Sequence, residues 1–242
     1  MAKTYKQDTS QLHKIHQGDT IIVVGNAPSL ADTDMKTVAL FNTIGCNRIL
    51  KHPTFRPTYL MTSDRRPYYA EIEEGNYHRH AESVKILLST TIFDHTISCH
   101  GTIAAKAADF RWYPWRVGVA SSPFNWKTFN APLCSFASIS GPMIQAAVIM
   151  GAKRIGIVGI DMQMPDSGSG HFYGDQGQWE CAGKKPGDPV IRDKNLQLYK
   201  DAFRELGAMG IDMYNLSPWP DTRFSREFGC TDIKDFVEVC FG

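Results

Sequence analysis

The sequence lacks a large excess of charge, a long apolar run and any paired cysteine motif. Its 26 Lys and Arg residues nearly balance 25 Asp and Glu residues, so no global field favours nucleic acid or an anionic membrane as a partner. No stretch approaches the roughly 20 apolar residues of a membrane-spanning helix. The six cysteines never form C-x-x-C, which argues against a zinc site and favours reduced thiols. Because the polar segment 1–20 contains no apolar region typical of a signal peptide, we expect a cytoplasmic protein.

What the chain does contain is an alternation of apolar runs and helical patterns. With 242 residues, 43% of them hydrophobic, it can bury one sizeable core, and it shows no repeat or dividing linker. Runs typical of buried strands, most of them closed by Gly or polar residues, occur at 20–24, 42–47, 58–63, 84–90, 153–162 and 211–218. Helical spacing occurs at 138–152 and 191–209. This predicts an α/β fold: a single Rossmann-like domain over 1–242 with a mostly parallel sheet and helices on both faces.

Three segments do not fit this alternation. Segment 1–18 is polar, and we expect it to be flexible. Segment 91–132 is rich in aromatic residues and Pro, as in RWYPWR at 111–116, which predicts an irregular insertion or lid. Segment 163–190 combines many Gly and Pro with few aliphatic residues, which predicts a second long loop. Whether the aromatic residues between 111 and 126 contact a ligand or pack in the core stays open.

The stretch 21-IIVVGNAPSLADTD-34 leads from a buried strand into the start of a helix. Pro28 suits a first helical turn, where main-chain N–H groups and the helix dipole favour an anion. The amide of Asn26 can both donate and accept hydrogen bonds. The stretch matches neither the Walker loop nor the dinucleotide G-x-G-x-x-G pattern. It therefore predicts a nucleotide site of another kind, with an ordinary strand-to-helix turn as the alternative.

Two residues far along the chain add to this prediction. Asp161 ends the strand 155-IGIVGID-161, where a carboxylate could accept ribose hydroxyls or brace a loop. His171 lies in the Gly-rich segment SGSGHFYGD, where it could act as a general base once the loop closes. The neighbouring Tyr173 and Asp175 could orient this imidazole or shape the turn.

Four motifs together resemble a known group of enzymes. They are IIVVGNAPSL, GCNRI, SISGPMIQAAVIMGAKRIGIVGIDM and GHFYG, which fall within residues 20–63 and 135–218. In this order they resemble the bacterial sialyltransferases of glycosyltransferase family 42. They also resemble the wider group once labelled domain of unknown function 115, which includes archaeal 6-hydroxymethylpterin diphosphokinases.

The resemblance implies a nucleotide-sugar-dependent glycosyltransferase. Its substrates would be a CMP-like sugar donor and an acceptor hydroxyl, on a glycan rather than on nucleic acid. His171 would deprotonate the acceptor, and the transfer would proceed with inversion and without a metal or other cofactor. Homo-oligomer formation stays open.

The same resemblance assigns residues to the nucleotide site. Asn26 and Asn47 would contact the nucleotide, and the Ser140-Gly141 turn would belong to its pocket. With the strand ends nearby, the predicted donor-binding set is Gly25, Asn26, Ser29, Asn47, Thr62, Asp64, Ser140, Gly141, Gly159 and Asp161.

The phosphate and sugar contacts depart from the family pattern. Ala137 stands where the sialyltransferases have Arg, and Gln163 stands where they have Tyr. Arg65, Arg66 and Arg223 are candidates to hold the phosphate instead, since Arg suits bidentate phosphate recognition; solvated surface arginines are the alternative. The motifs therefore support a nucleotide-binding site more strongly than they support sialic acid as the transferred group.

Other functions remain compatible with these motifs. The D-x-D sequence Asp32-Thr-Asp34 is found in metal-dependent glycosyltransferases, but carboxylates at a helix start are favourable for the dipole alone. An ATP- and Mg²⁺-dependent diphosphokinase of the 6-hydroxymethylpterin type would share the fold and the first motif. A glycosyltransferase acting on modified nucleic-acid bases and a nucleotide-binding protein without catalysis are further alternatives.

Overall fold

The computed structural model describes residues 5–92, 111–120, 122–136, 138–162, 170–174 and 189–242. The strands of this part of the chain are β1 (Tyr5–Lys6), β2 (Thr20–Val24), β3 (Asn42–Cys46), β4 (Tyr59–Thr62), β5 (Lys85–Ser89), β6 (Arg111–Trp115), β7 (Val117–Gly118), β8 (Leu133–Cys134), β9 (Arg154–Val158) and β10 (Asp212–Asn215). The α-helices are α1 (Met35–Val38), α2 (Arg65–Glu73), α3 (Asn76–His80), α4 (Ser140–Ile149), α5 (Pro189–Ala208), α6 (Arg223–Phe228) and α7 (Ile233–Phe241). Short 3₁₀ helices span Thr9–Leu12, Pro28–Asp32 and Ile49–Lys51.

Eight strands form one sheet in the order β1-β6-β5-β4-β3-β2-β9-β10, and every pairing in it is parallel. Strands β2, β3, β4 and β9 are almost continuously buried, as is usual when both faces of a parallel sheet are covered. The chain moves outward from β2 through β3, β4 and β5 and later returns to β9 on the other side of β2. The border between β2 and β9 is therefore a topological switch point, where α/β folds bind ligands at the carboxyl ends of the strands.

Helices cover both faces of this sheet. One core cluster joins the inward residues of β2, β3 and β9 to α4, α5 and α6. The other cluster joins the opposite faces of β2, β4 and β5 to α2, α3 and α7. The predicted α/β fold with a mostly parallel sheet and helices on both faces is confirmed.

Helix α4 shows why its sequence places it at the centre of one layer. All ten of its residues are buried, as expected for a helix that is apolar on every side. At its start, a Cβ added to Gly141 would lie 2.4 Å from the ring of Phe136. The glycine therefore lets an aromatic ring pack directly on the helix backbone.

Two segments differ from the sequence predictions. Residues 111–115, which we assigned to an irregular insertion, form β6 between β1 and β5. Trp112 and Trp115 of this strand are buried. The sequence did not indicate a strand here because its aromatic residues and Pro114 show no regular alternation of apolar and polar residues. The prediction of an irregular insertion is therefore wrong for residues 111–115. Within segment 1–18, which we expected to be flexible, β1 pairs with β6. None of the described helices has the length and apolar character that crossing a bilayer requires.

Candidate active site

The carboxyl ends of β2, β3, β4 and β9 meet at one edge of the sheet, as the parallel order requires. We call it the carboxyl edge. At its switch point Gly25 packs directly on Gly159, because a Cβ on Gly25 would lie 2.1 Å from the Gly159 carbonyl oxygen. Gly159 itself has φ of +66°, a conformation that favours glycine. Both predicted glycines thus have a steric role, which is to let the loops after β2 and β9 touch.

Asn26 follows Gly25 and is 93% buried, with 7% of its surface exposed. Its Nδ2 group donates to the carbonyl oxygen of Cys46 at 3.0 Å, which links the ends of β2 and β3. Its Oδ1 atom is buried and has no hydrogen-bond partner among the described residues. Buried polar atoms usually have a partner, and a bound ligand is one that could supply a donor here.

Asp161 lies three residues beyond the end of β9 and is 2% exposed. Its carboxylate accepts hydrogen bonds from the main-chain N–H of Ser29 at 3.1 Å and from the Ser29 hydroxyl at 2.5 Å. Burial raises the pKa of this carboxyl, and the two bonds from Ser29 oppose that rise. One main-chain N–H group of this turn, that of Ser29, is thus occupied by a carboxylate of the protein itself. Asp161 therefore braces the loop after β2, which is the alternative that the sequence left open for this residue.

Asn47 follows β3 and lies next to the end of β4. Its φ of +48° lies in the left-handed region, which Asn tolerates better than most residues. The main-chain N–H of Asn47 donates to the carbonyl oxygen of Met61 at 3.1 Å. The buried hydroxyl of Thr62 donates to Asn47 Oδ1 at 3.3 Å. The second predicted asparagine is therefore held at the same edge as Asn26.

The segment 170–174, which contains His171, lies over this edge. The main-chain N–H of Phe172 donates to the carbonyl oxygen of Asn26 at 3.0 Å. The Phe172 ring packs 5.6 Å from the ring of His52, between centroids. The structure therefore brings the predicted base within one residue of the contact with Asn26, although the two are far apart in sequence.

Tyr173 connects His171 to two cations that our sequence analysis did not single out. The His171 and Tyr173 rings stack with centroids 5.0 Å apart and an interplanar angle of 13°. The Arg48 guanidinium carbon lies 5.9 Å, and the Lys51 ammonium 6.0 Å, from the Tyr173 centroid, within the range of cation–π contacts. The available signal was the run NRILK directly after β3, where basic residues follow a strand end.

Arg48 is a fixed part of this arrangement. It is 4% exposed, its Nε donates to Glu71 at 2.9 Å, and it also pairs with Glu74. Burial raises the pKa of Glu71, while the bonds from Arg48 and Asn76 oppose the rise. Because a buried charge needs a partner, this network holds the guanidinium near Tyr173.

Two predicted residues begin α4. The Ser140 hydroxyl is buried and shares a hydrogen bond with the hydroxyl of Tyr199 on α5. Burial raises the pKa of Tyr199 well above its usual value. Gly141 packs under Phe136 as described above. Both residues thus contact neighbouring structural groups, and their contact with a nucleotide stays a prediction.

The remaining predicted residues lie in more exposed positions. Asp64 caps α2 by accepting from the main-chain N–H of Arg66 at 3.0 Å. Arg65 and Arg66 are exposed at the start of that helix, just beyond the end of β4. Arg223, at the start of α6, pairs with Asp193.

The two carboxylates of the D-x-D sequence have structural partners. Asp32 accepts from the Trp219 indole N–H at 2.8 Å. Asp34 caps α1 by accepting from Lys36 and Thr37. No group of three or more His, Cys, Asp and Glu side chains in the described ranges is arranged to hold a metal ion. Ala137, Gln163 and Asp175 lie outside the described residues.

The fold and the edge residues define a doubly wound α/β protein with its candidate site at the switch point. No protein-family model matches the chain, and no curated protein does. Several solved structures match it, among them two sialyltransferases from Campylobacter jejuni. The structure of CstII with the substrate analogue CMP-3FNeuAc is 11% identical, with a TM-score of 0.48, and the match covers 87% of this chain and 84% of that one. An α-2,3-sialyltransferase in apo form is 14% identical, with a TM-score of 0.47 and coverage of 89% and 81%. Both belong to the class of enzyme that the sequence motifs resemble.

Proposed function

We propose that this protein is a glycosyltransferase that binds a CMP-like nucleotide sugar at the carboxyl edge and transfers the sugar to an acceptor hydroxyl. The observation that carries the proposal is the contact between Phe172 and Asn26. It brings residue 171, whose imidazole can accept a proton, within one residue of the contact with Asn26. The buried Oδ1 of Asn26 has no partner among the described residues.

The two asparagines support nucleotide binding at this edge. The bond from Asn26 Nδ2 to Cys46 fixes which end of the amide remains for a ligand. An acceptor oxygen in that position suits a base with an exocyclic amino group, such as cytosine. Asn47, held by Thr62 and Met61, adds a second amide at the neighbouring strand end. A nucleotide would therefore lie across the ends of β2 and β3.

The proposed reaction needs one base. His171 takes the proton from the acceptor hydroxyl as its oxygen bonds to the anomeric carbon of the donor. The bond between that carbon and the phosphate oxygen breaks, and the nucleoside monophosphate leaves with the electron pair. The acceptor attacks opposite the leaving group, so the configuration inverts. Arg65 and Arg66, exposed beyond β4, are the proposed phosphate contacts. We place the reaction in the cytoplasm, with a glycan as acceptor.

Calorimetry and a transfer assay test the proposal together. CMP, UMP, GMP and AMP are titrated into the protein, and CMP should bind most tightly. With a CMP-sugar donor and a panel of glycan acceptors, the His171→Ala variant should lose about a hundredfold or more in turnover, the usual contribution of a general base. Its affinity for CMP should stay within about twofold of the wild-type value. His78→Ala, which removes an exposed histidine on α3, is the matched control and should keep full turnover.

Three outcomes would reject the proposal. If none of the four nucleotides binds, the protein has no nucleotide site of the proposed kind. If His171→Ala loses CMP affinity as much as turnover, the assignment of His171 as the general base is wrong. Consumption of ATP with an obligatory need for Mg²⁺ would favour the diphosphokinase instead.

A further inference from the structure

A cavity of about 510 Å³ lies at the opposite edge of the sheet from His171. Its walls come from the segments 13–18, 126–127, 148–153 and 209–211, which precede the starts of β2, β9 and β10 or pack against them. We call it the amino-edge cavity. A volume of this size is typical of sites that hold small molecules.

Three separate segments each bring an ammonium group to the amino-edge cavity. Lys14, Lys127 and Lys153 line it, together with His13. In the part of the chain that the structure describes, none of these three lysines forms an ion pair with a carboxylate. Unpaired like charges around one concave surface repel each other, so an anion would be stabilised between them.

The helix ends at the cavity do not account for this charge. Helices α4 and α5 end here, and each end carries about half a negative charge. The last carbonyl groups after α4 are already satisfied by main-chain donors: Ile149 accepts from Lys14 at 2.9 Å and Met150 accepts from His16 at 2.8 Å. The lysine side chains are therefore not needed as caps. The residues that line the cavity include these three lysines and no Asp or Glu, so its lining carries a net positive charge.

One wall of the cavity is aromatic and its floor is apolar. Trp126 is half-buried, and its indole N–H donates to Glu205 at 2.9 Å, which fixes the orientation of the ring. Ile149 and Ala152 form buried parts of the floor. A small inorganic ion would leave these surfaces unused, whereas a ligand with an apolar or aromatic part would cover them.

We propose that the amino-edge cavity is a binding site for a small organic phosphate, with the phosphate facing the lysines and the organic part packing on Trp126. A phosphate monoester offers a double negative charge and three acceptor oxygens, which suits cations that converge from three directions. The five residues of strand β2, about 16 Å long at the usual rise per residue, separate this cavity from Asn26. The ligand is therefore bound apart from the proposed transfer site and is not the group transferred there.

Phenyl phosphate, inorganic phosphate and phenol are the probes, and calorimetry measures their affinities for the intact protein. Phenyl phosphate should bind more tightly than either of its parts. The variant K127M/K153M should bind it about tenfold more weakly, the combined effect of two partly exposed charge contacts. The control K36M/K234M removes the same charge from exposed lysines outside the cavity and should leave the affinity unchanged. Trp126→Leu should weaken phenyl phosphate but not inorganic phosphate.

The proposal is overturned if the wild-type protein does not bind phenyl phosphate. It is also overturned if K127M/K153M and K36M/K234M weaken phenyl phosphate binding equally. Thermal melts of each variant show whether the protein remains folded, and Lys127→Met alone provides a milder test if the double variant does not. CMP titrated into K127M/K153M separates this proposal from the proposed function. Loss of phenyl phosphate binding with unchanged CMP binding supports a separate site, and equal loss of both contradicts it.

Discussion

The main-chain N–H of Phe172 donates to the carbonyl oxygen of Asn26 at 3.0 Å. This bond joins a segment that follows β9 to the loop that follows β2, at the switch point of the sheet. Both partners are main-chain atoms, so the contact depends on the path of the backbone rather than on a particular side chain at residue 172. It places the segment that contains His171 against the loop that contains Asn26.

Replacing Asn26 by Ala should weaken nucleotide binding about tenfold, because the ligand would lose a hydrogen-bond acceptor at a buried position. The free energy of unfolding should fall by about 1 kcal/mol, since the bond to Cys46 is also lost. Calorimetry with CMP and urea unfolding measure the two effects. Asn42→Ala is the control: it removes a 3.3 Å bond to Asp19 at the other edge of the sheet and should leave CMP affinity unchanged. Unchanged CMP affinity in Asn26→Ala would exclude this residue from the site.

Tyr173 should act as a positioning residue for His171 through ring stacking. Tyr173→Phe keeps a ring for both the imidazole and the cations of Arg48 and Lys51, so its kcat should stay within about threefold of wild type. Tyr173→Leu keeps much of the volume without the ring and should lower kcat about tenfold, with little change in nucleotide affinity. Steady-state kinetics with a pH profile of kcat for each variant measure this. Equal effects of the two substitutions would show that stacking does not position the base.

The buried carboxyl of Asp161 should make stability depend on pH. Burial raises its pKa in the folded state above the unfolded value of about 3.9, because the ionised form is poorly solvated there. The contribution is therefore complete below the unfolded pKa and is lost as pH rises through the folded pKa. Relative to Asp161→Asn, the free energy of unfolding of the wild-type protein should therefore fall as pH rises above the unfolded pKa of about 3.9. Urea unfolding at several pH values measures it, and a difference that rises with pH would contradict the assigned direction.

Gly25→Ala should destabilise the protein by about 3 kcal/mol, because the new Cβ would lie 2.1 Å from a carbonyl oxygen of the backbone and cannot be relieved by rotating a side chain. Nucleotide binding should fall as well, since Asn26 is the next residue. Gly207→Ala in α5 is the matched control, with no atom within 4 Å of the added Cβ, and should stabilise by about 0.5–1 kcal/mol. Chemical unfolding of both variants measures the contrast. A small effect of Gly25→Ala would mean that the loops after β2 and β9 can separate without loss.

Some elements were predictable because their local pattern and their tertiary setting agree. Strands β2 and β9 are continuous apolar runs closed by glycine, and α4 is an apolar helix introduced by Ser-Gly-Pro. Strand β6 was not predictable in this way. Its sequence RWYPW contains Pro114, and only the pairing with β5 on one side and β1 on the other shows it to be a strand. Strand β1 has two residues, too few for any pattern to indicate it.

The sequence by itself determined the parallel α/β architecture and the polar residues at the strand ends, because periodicity and turn chemistry are local properties. It also predicted Asn26 and His171 as partners in one site, through the order of the motifs. Only the tertiary structure decided that the N–H group of Ser29 binds Asp161 and that Tyr173 contacts Arg48 and Lys51. These contacts join residues distant in the chain. Burial decides which polar atoms must find a partner inside the protein, and no local pattern records that choice.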